Sequence, residues 1–182
     1  MERELRVVMI EDDRDFSAVL KSVLDQEREP RMRLESFESL GAALPRLRSA
    51  LGIDAILLDL SLPDSEGLST LDVVRDAAPE IPVVVLTVND ERATGLDAVR
   101  KGAQAYVVKG AIDLKFVPRL LEHAIERKRA ELLLSENRRL EELNRMLMDR
   151  ERRVLELKQE VNALLARLGE AAKYNVEVPE TY

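Results

Sequence analysis

Four short apolar runs in this sequence each end on residues suited to phosphate or metal chemistry. The run 5–10 is followed by Glu11, Asp12 and Asp13, Leu58 by Asp59, Leu86 by Thr87, and Val108 by Lys109. Clustered carboxylates repel one another unless a cation is present, and an oxygen-only donor set favours a hard ion such as Mg²⁺. Lysine supplies a compact positive charge and threonine a hydroxyl donor. Phosphoryl transfer needs mostly positioning and charge stabilisation, so this kit suffices without a general base. In such a kit Asp59 is the nucleophile and its product is an acyl phosphate.

These residues converge only if the runs are parallel strands in one sheet. The segments 5–10 (LRVVMI), 32–37, 55–60 (AILLDL), 83–87 (VVVLT) and 105–108 (AYVV) read as strands. Three of them are continuously apolar, as expected for parallel strands covered on both faces. Helical patterns near 15–27, 39–50, 67–77 and 91–101 separate them. In the first of these Phe16, Val19, Leu20, Val23 and Leu24 mark one face. The βαβα alternation predicts an α/β fold, a doubly wound five-stranded parallel sheet with right-handed crossovers. Reactive groups in such sheets gather outside the carboxyl ends of the strands.

From Ile112 onward the pattern is helical. Phe116, Val117, Leu120, Leu121, Ala124 and Ile125 form an amphipathic face that closes the domain. No Gly or Pro then intervenes from Arg119 to Gly169, ~50 residues or roughly 75 Å of helix. A seven-residue repeat runs through Leu133, Leu140, Leu147, Val154, Val161 and Leu168, and Leu143, Leu157 and Leu164 supply a second seam position. Arg150 breaks that second seam and Glu136 weakens its start. The spacing predicts a long α-helical coiled coil, read as an intermolecular parallel dimer, with Asn137 and Asn144 beside the stripe. The alternative is a single helix folded back on the domain, but the stripe outlasts the width of a small domain. The expected organisation is a compact domain over 1–127, a coiled-coil helix over 128–169 continuous with its last helix, and a tail or linker over 170–182.

The segments VVMIEDD, ILLDLSLPDSEGL, VVVLTVND and GAQAYVVKG, in this order and spacing, resemble the signature segments of response-regulator receiver domains of two-component signalling. The resemblance covers roughly residues 3–127 and implies a flavodoxin-like fold of the chemotaxis-regulator type. It also implies roles. Asp59 becomes the phosphoacceptor, and Mg²⁺ is held by Asp12, Asp59 and the Ser61 backbone carbonyl, with Glu11 acting through water. Thr87 and Lys109 contact the phosphoryl group, and Thr87 and Tyr106 form the switch. Pro63 and Gly67 match the loop after the acceptor strand, and Asp13 falls one place beyond the acidic pair. The implied partners are a histidine kinase or phosphotransfer protein as donor and a second copy of the chain through the coil.

The chain departs from the family pattern at Gly110, where proline is usual, and at Val88, where Ala or Gly is favoured. Two methyls at Val88 narrow access to the acyl phosphate, and neither Ser61 nor Asn89 supplies a base for hydrolysis. A long-lived phosphorylated state is therefore expected. The long helix resembles connectors joining receivers to sensor or kinase modules, so the chain reads either as a receiver with a coiled-coil effector or as part of a larger signalling protein.

Composition narrows the alternatives. A net charge of -7 argues against a general nucleic-acid binder, whose affinity comes from clustered Lys and Arg. Arg127, Lys128 and Arg129 are followed by acidic residues and read as a solvated helix face. The absence of cysteine excludes disulfides and thiolate sites, and the one histidine, His123, excludes a multi-histidine metal site. The charged N-terminus lacks a signal peptide's apolar stretch, and no run approaches ~18 apolar residues. A cytoplasmic protein without enzymatic turnover is expected. Two rivals remain. A phosphatase with an aspartyl-phosphate intermediate wants an acid two residues after its nucleophile, where this chain has Ser61. A coiled-coil adaptor with a non-phosphorylated receiver fold keeps the architecture without the chemistry.

Overall fold

The computed structural model describes residues 4–88 and 92–176, with residues 92 and 93 described by backbone alone. Five strands, β1 (Glu4–Ile10), β2 (Arg31–Phe37), β3 (Ala55–Asp59), β4 (Val83–Thr87) and β5 (Ala105–Val108), form one sheet of order β2-β1-β3-β4-β5. All of its pairings are parallel. The helices α1 (Arg14–Asp25), α2 (Leu40–Ser49), α3 (Leu68–Ala77), α4 (Arg92–Arg100) and α5 (Val117–Arg167) make the crossovers and the C-terminal extension. The order reverses at β1 and β3, the switch point at which doubly wound sheets bind ligands.

The expected strands and helices are all present, with ends shifted by a residue or two. Every residue of β3 and β4 is buried, which is why their sequences are uninterrupted apolar runs. Alternate β1 side chains serve opposite faces. Val8 and Ile10 pack with Leu47, Leu58, Leu71 and Val74 on the α2–α3 side. Val7 and Met9 pack with Leu20, Leu24, Leu57, Leu121 and Ile125 on the α1–α5 side. Each such buried aliphatic side chain contributes roughly 1.5–3 kcal/mol, and together they fix the strand ends that carry the polar residues.

Local capping sets the entries of two helices. Asp13 is the N-cap of α1, its carboxylate accepting from the backbone N–H groups of Asp15 and Phe16. It is therefore occupied by the helix and not by the acidic pair beside it. Ser39 caps α2 through Ala42 N. Phe116, expected on the buried face of the last helix, instead lies in a 3-10 turn (Leu114–Phe116) and is exposed. The buried face of α5 begins one residue later, at Val117, and continues through Leu121, Ala124 and Ile125.

The helix α5 runs unbroken for 51 residues. The chain divides into two compact units between Leu132 and Leu133. In the first unit, residues of α5 just before that point are tied to the ends of strands remote from Asp59. Arg127 Nη1 donates to Gln104 O at 3.4 Å, Gln104 Nε2 donates to Glu131 Oε2 at 3.2 Å, and Arg129 pairs with Asp54 at 3.3 Å. In the second unit the seam side chains are exposed, from 37% at Val161 to 75% at Leu168. The helix ends at Arg167, and in the turn after it Gly169 has a φ of +75 that suits a residue without Cβ. The chain then turns back, and the Asn162 side chain holds the Tyr174 backbone, donating to its carbonyl at 2.7 Å and accepting from its N–H at 3.1 Å. Residues 177–182 of the expected tail lie outside the described residues.

Candidate phosphoacceptor site

Asp59 ends β3 and is 4% exposed; Glu11 follows β1 at 1% and Thr87 ends β4 at 2%. Lys109 follows β5, and its Nζ sits 2.6 Å from Asp59 Oδ2 and 2.5 Å from Glu11 Oε2. The other Asp59 oxygen, Oδ1, accepts from Ser61 N at 3.0 Å. Asp12 is exposed, yet carboxylate oxygens of Glu11, Asp12 and Asp59 all lie within 4.8 Å of one another. Five of the residues singled out in the sequence thus converge on one sheet edge. The backbone joins the strand ends there as well, with Lys109 N donating to Thr87 O at 2.6 Å and Glu11 N to Phe37 O at 2.9 Å.

The loop after β3 is more ordered than its sequence suggests. Ser61–Leu62 and Ser65–Glu66 form a small antiparallel hairpin, and Gly67 N closes it on Leu60 O at 2.7 Å. Gly67 has φ +69, a left-handed value that favours glycine, and Pro63 lies in the turn. Asp64, which sequence reasoning passed over, clamps the hairpin to α2. Its carboxylate accepts from Leu40 N at 2.9 Å and Gly41 N at 2.7 Å. Those hydrogen bonds, Gly41 first, hold its pKa below the usual carboxylate value. Nothing in the local sequence signals this contact between residues more than twenty apart.

Tyr106 is half-buried on β5 and packs against α4, where a Cβ added at Gly95 would come within 3.0 Å of its ring. Val88 stands 69% exposed directly after Thr87, while Asn89 lies outside the described residues. Gly110 has φ +84 and takes a left-handed conformation after Lys109. His123 lies on α5 as an exposed helix residue.

Burial raises the Glu11 pKa to about 7, the Lys109 hydrogen bond working against the shift and the Asp59 charge adding to it. Burial alone would lower the Lys109 pKa, but its hydrogen bonds to Asp59 and Glu11 outweigh this and raise it. One lysine therefore faces three carboxylates, its Nζ already shared between Glu11 Oε2 and Asp59 Oδ2. An oxygen-only set that keeps a net negative charge fits a divalent hard cation. Receiver domains bind Mg²⁺ through acidic residues of this kind, and Glu11, Asp12 and Asp59 are the cluster that offers them here.

The electrostatics predict a pH dependence for the metal-free protein. Unfolded Glu11 ionises near its ordinary 4.5 and folded Glu11 near 7, so between those values the folded state binds more protons. Stability from this group is therefore lost as pH rises from about 4.5 to 7, by a few kcal/mol. Thermal unfolding in EDTA at pH 5 and pH 8 measures the loss. Added Mg²⁺ stabilises more at pH 8, where no proton competes for Glu11. Asp12→Asn removes one exposed charge from the cluster, so it leaves the EDTA melting point unchanged or higher and abolishes the Mg²⁺ increment.

Residues 7–120 match the response regulator receiver domain family. The chain belongs to that family. It is 36% identical over 75 residues to the regulatory protein LuxO of Vibrio cholerae, spanning 41% of this chain and 15% of LuxO. It is 29% identical over 119 residues to the DNA-binding transcriptional regulator NtrC of Proteus hauseri, spanning 65% of this chain and 24% of NtrC. The chain thus covers less than a quarter of the length of these two relatives. In fold it is similar to the beryllofluoride-activated NtrC4 receiver domain dimer, with a TM-score of 0.60, 24% identity, and coverage of 68% of this chain and 98% of that one. Among the described residues no helix is long and apolar enough to cross a membrane.

Proposed function

We propose that this chain is a phosphorylation-activated response regulator of a two-component system, with Asp59 as phosphoacceptor and α5 as the output element. The observation that carries the reading is the state of the Asp59 carboxylate. One oxygen is held by Ser61 N and the other by Lys109, at the open end of the sheet beside two further carboxylates. An Asp59 oxygen attacks the phosphorus of a phosphohistidine on a kinase or phosphotransfer protein. The P–N bond breaks and the imidazole leaves with its electron pair. The product is an aspartyl phosphate, and no net turnover of a substrate is involved.

Mg²⁺, held by Asp12, Asp59 and the Ser61 carbonyl with Glu11 through water, would neutralise charge developing on the phosphoryl oxygens. Lys109 moves from the Asp59 oxygen to a phosphoryl oxygen, and Thr87, at the end of the neighbouring strand, donates its hydroxyl to another. Drawing Thr87 inward shifts Tyr106 and the β5–α5 surface, biasing an equilibrium the protein already samples. A cytoplasmic location is the one in which a histidine kinase or phosphotransfer protein would reach Asp59.

The receiver comprises residues 1–127, and α5 carries its state onward into a coiled coil over 128–169. Leu133, Leu140, Leu143, Leu147, Val154, Leu157, Val161, Leu164 and Leu168 lie exposed at coiled-coil spacing, a stripe that a second copy would cover in a parallel dimer. The dimeric state named for the NtrC4 receiver supports pairing as a mode open to this fold.

Light-scattering mass during size exclusion with Mg²⁺ tests the reading on apo protein, beryllofluoride-treated protein and treated Asp59→Asn. A change of mass or shape in treated wild type alone supports control of assembly by Asp59. A monomer in all three samples removes the coil dimer. The aspartyl phosphate should also persist for minutes or longer in the isolated protein, because Val88 puts two methyls directly after Thr87, where the family favours Ala or Gly. Decay within seconds, followed by loss of the phosphorylated band, contradicts that expectation.

A further inference from the structure

Lys109 is held by a third partner besides the two carboxylates. Its Nζ lies 4.7 Å from the centroid of the Phe16 ring, in cation–π geometry. Phe16 is in the first turn of α1, half-buried, and packs on the α1–α5 core. Its backbone N–H is fixed by the Asp13 cap at 3.0 Å, so the ring springs from an anchored turn. The lysine side chain is 11% exposed and thus largely withdrawn from water, where a ring face counts for more than at an open surface.

The three partners differ in what happens to them during the proposed reaction. Asp59 becomes an acyl phosphate, and Glu11 is drawn toward the cation site, so both anionic contacts of Lys109 are reassigned. The ring face is neutral and is consumed by neither event. We infer that Phe16 is a positioning residue that keeps the Lys109 ammonium at the phosphoryl site while its carboxylate partners change. This inference rests on the phosphoacceptor reading and adds to it a residue that touches neither phosphoryl group nor metal.

The test uses the full chain with Mg²⁺ and follows melting temperature against beryllofluoride concentration to obtain an apparent affinity. Wild type is compared with Phe16→Leu, with Phe16→Tyr, and with 3,4,5-trifluorophenylalanine incorporated at position 16. The fluorinated ring nearly keeps the shape of phenylalanine but loses the negative face that attracts a cation. The expected result is about a threefold to tenfold weaker affinity for the leucine and trifluoro proteins, with the tyrosine protein near wild type. Affinity in the trifluoro protein equal to wild type overturns the inference, whatever leucine does, because it would show that only packing matters. If wild type itself shows no beryllofluoride response, the phosphoacceptor reading fails and this inference fails with it.

Discussion

Lys109→Ala will destabilise the metal-free protein at pH 8 by about 3 kcal/mol, the scale for removing one partner of a buried ion pair. The lysine side chain is 11% exposed, that of Asp59 5% and that of Glu11 0%, so its removal leaves two carboxylates facing each other with little water. The effect shrinks at lower pH. Glu11 already titrates at about 7 with the lysine present, and without that charge its pKa rises further. At pH 6 the carboxyl is neutral and the repulsion with Asp59 is relieved. Mg²⁺ will restore part of the loss at pH 8, since it supplies the missing positive charge. Urea unfolding at both pH values, with and without Mg²⁺, gives the four numbers. Equal destabilisation at pH 6 and pH 8 would contradict the electrostatic assignment.

The second large effect concerns assembly. Leu143→Glu combined with Leu157→Glu places four carboxylates in the seam of a dimer and removes four leucines from it. Each buried leucine contributes roughly 1.5–3 kcal/mol, so the dissociation constant should rise by at least about a thousandfold. Sedimentation at micromolar protein will then show a monomer. The receiver's own melting transition stays in place, because its core lies in the unit that ends at Leu132. Arg138→Glu, away from the stripe, serves as the control and leaves the mass unchanged. A dimer that survives the double substitution would move the contact to another surface.

How much of this was legible in the sequence follows from what sequence patterns encode. Buried parallel strands demand uninterrupted apolar runs, so β3 and β4 announced themselves, and with them the positions of Asp59 and Thr87. The acidic pair and Lys109 were equally visible, because a strand end fixes where the next residue sits. The long helix could be read from its period alone. Contacts made by side chains across the fold left no such trace. Asp64 reaching back to the start of α2, Phe16 lying against Lys109, and Asn162 gripping the Tyr174 backbone each depend on tertiary placement. Asp13 was read as lying one place beyond the acidic pair, and it does; its role as the cap of α1 is what the sequence reading did not supply. Phe116 fitted the helical period but fell in the tighter turn before α5, where the side-chain direction changes.

The central claim is that Asp59 accepts a phosphoryl group, and intact-protein mass after incubation with acetyl phosphate and Mg²⁺ tests it most directly. The account predicts a gain of one phosphoryl group in wild type that hydroxylamine removes, as expected for an acyl phosphate. EDTA should prevent the gain, and Asp59→Asn should not acquire it. A wild-type mass that stays unchanged, or an equal gain in Asp59→Asn, would contradict the account and leave a receiver fold that signals, if at all, without this chemistry.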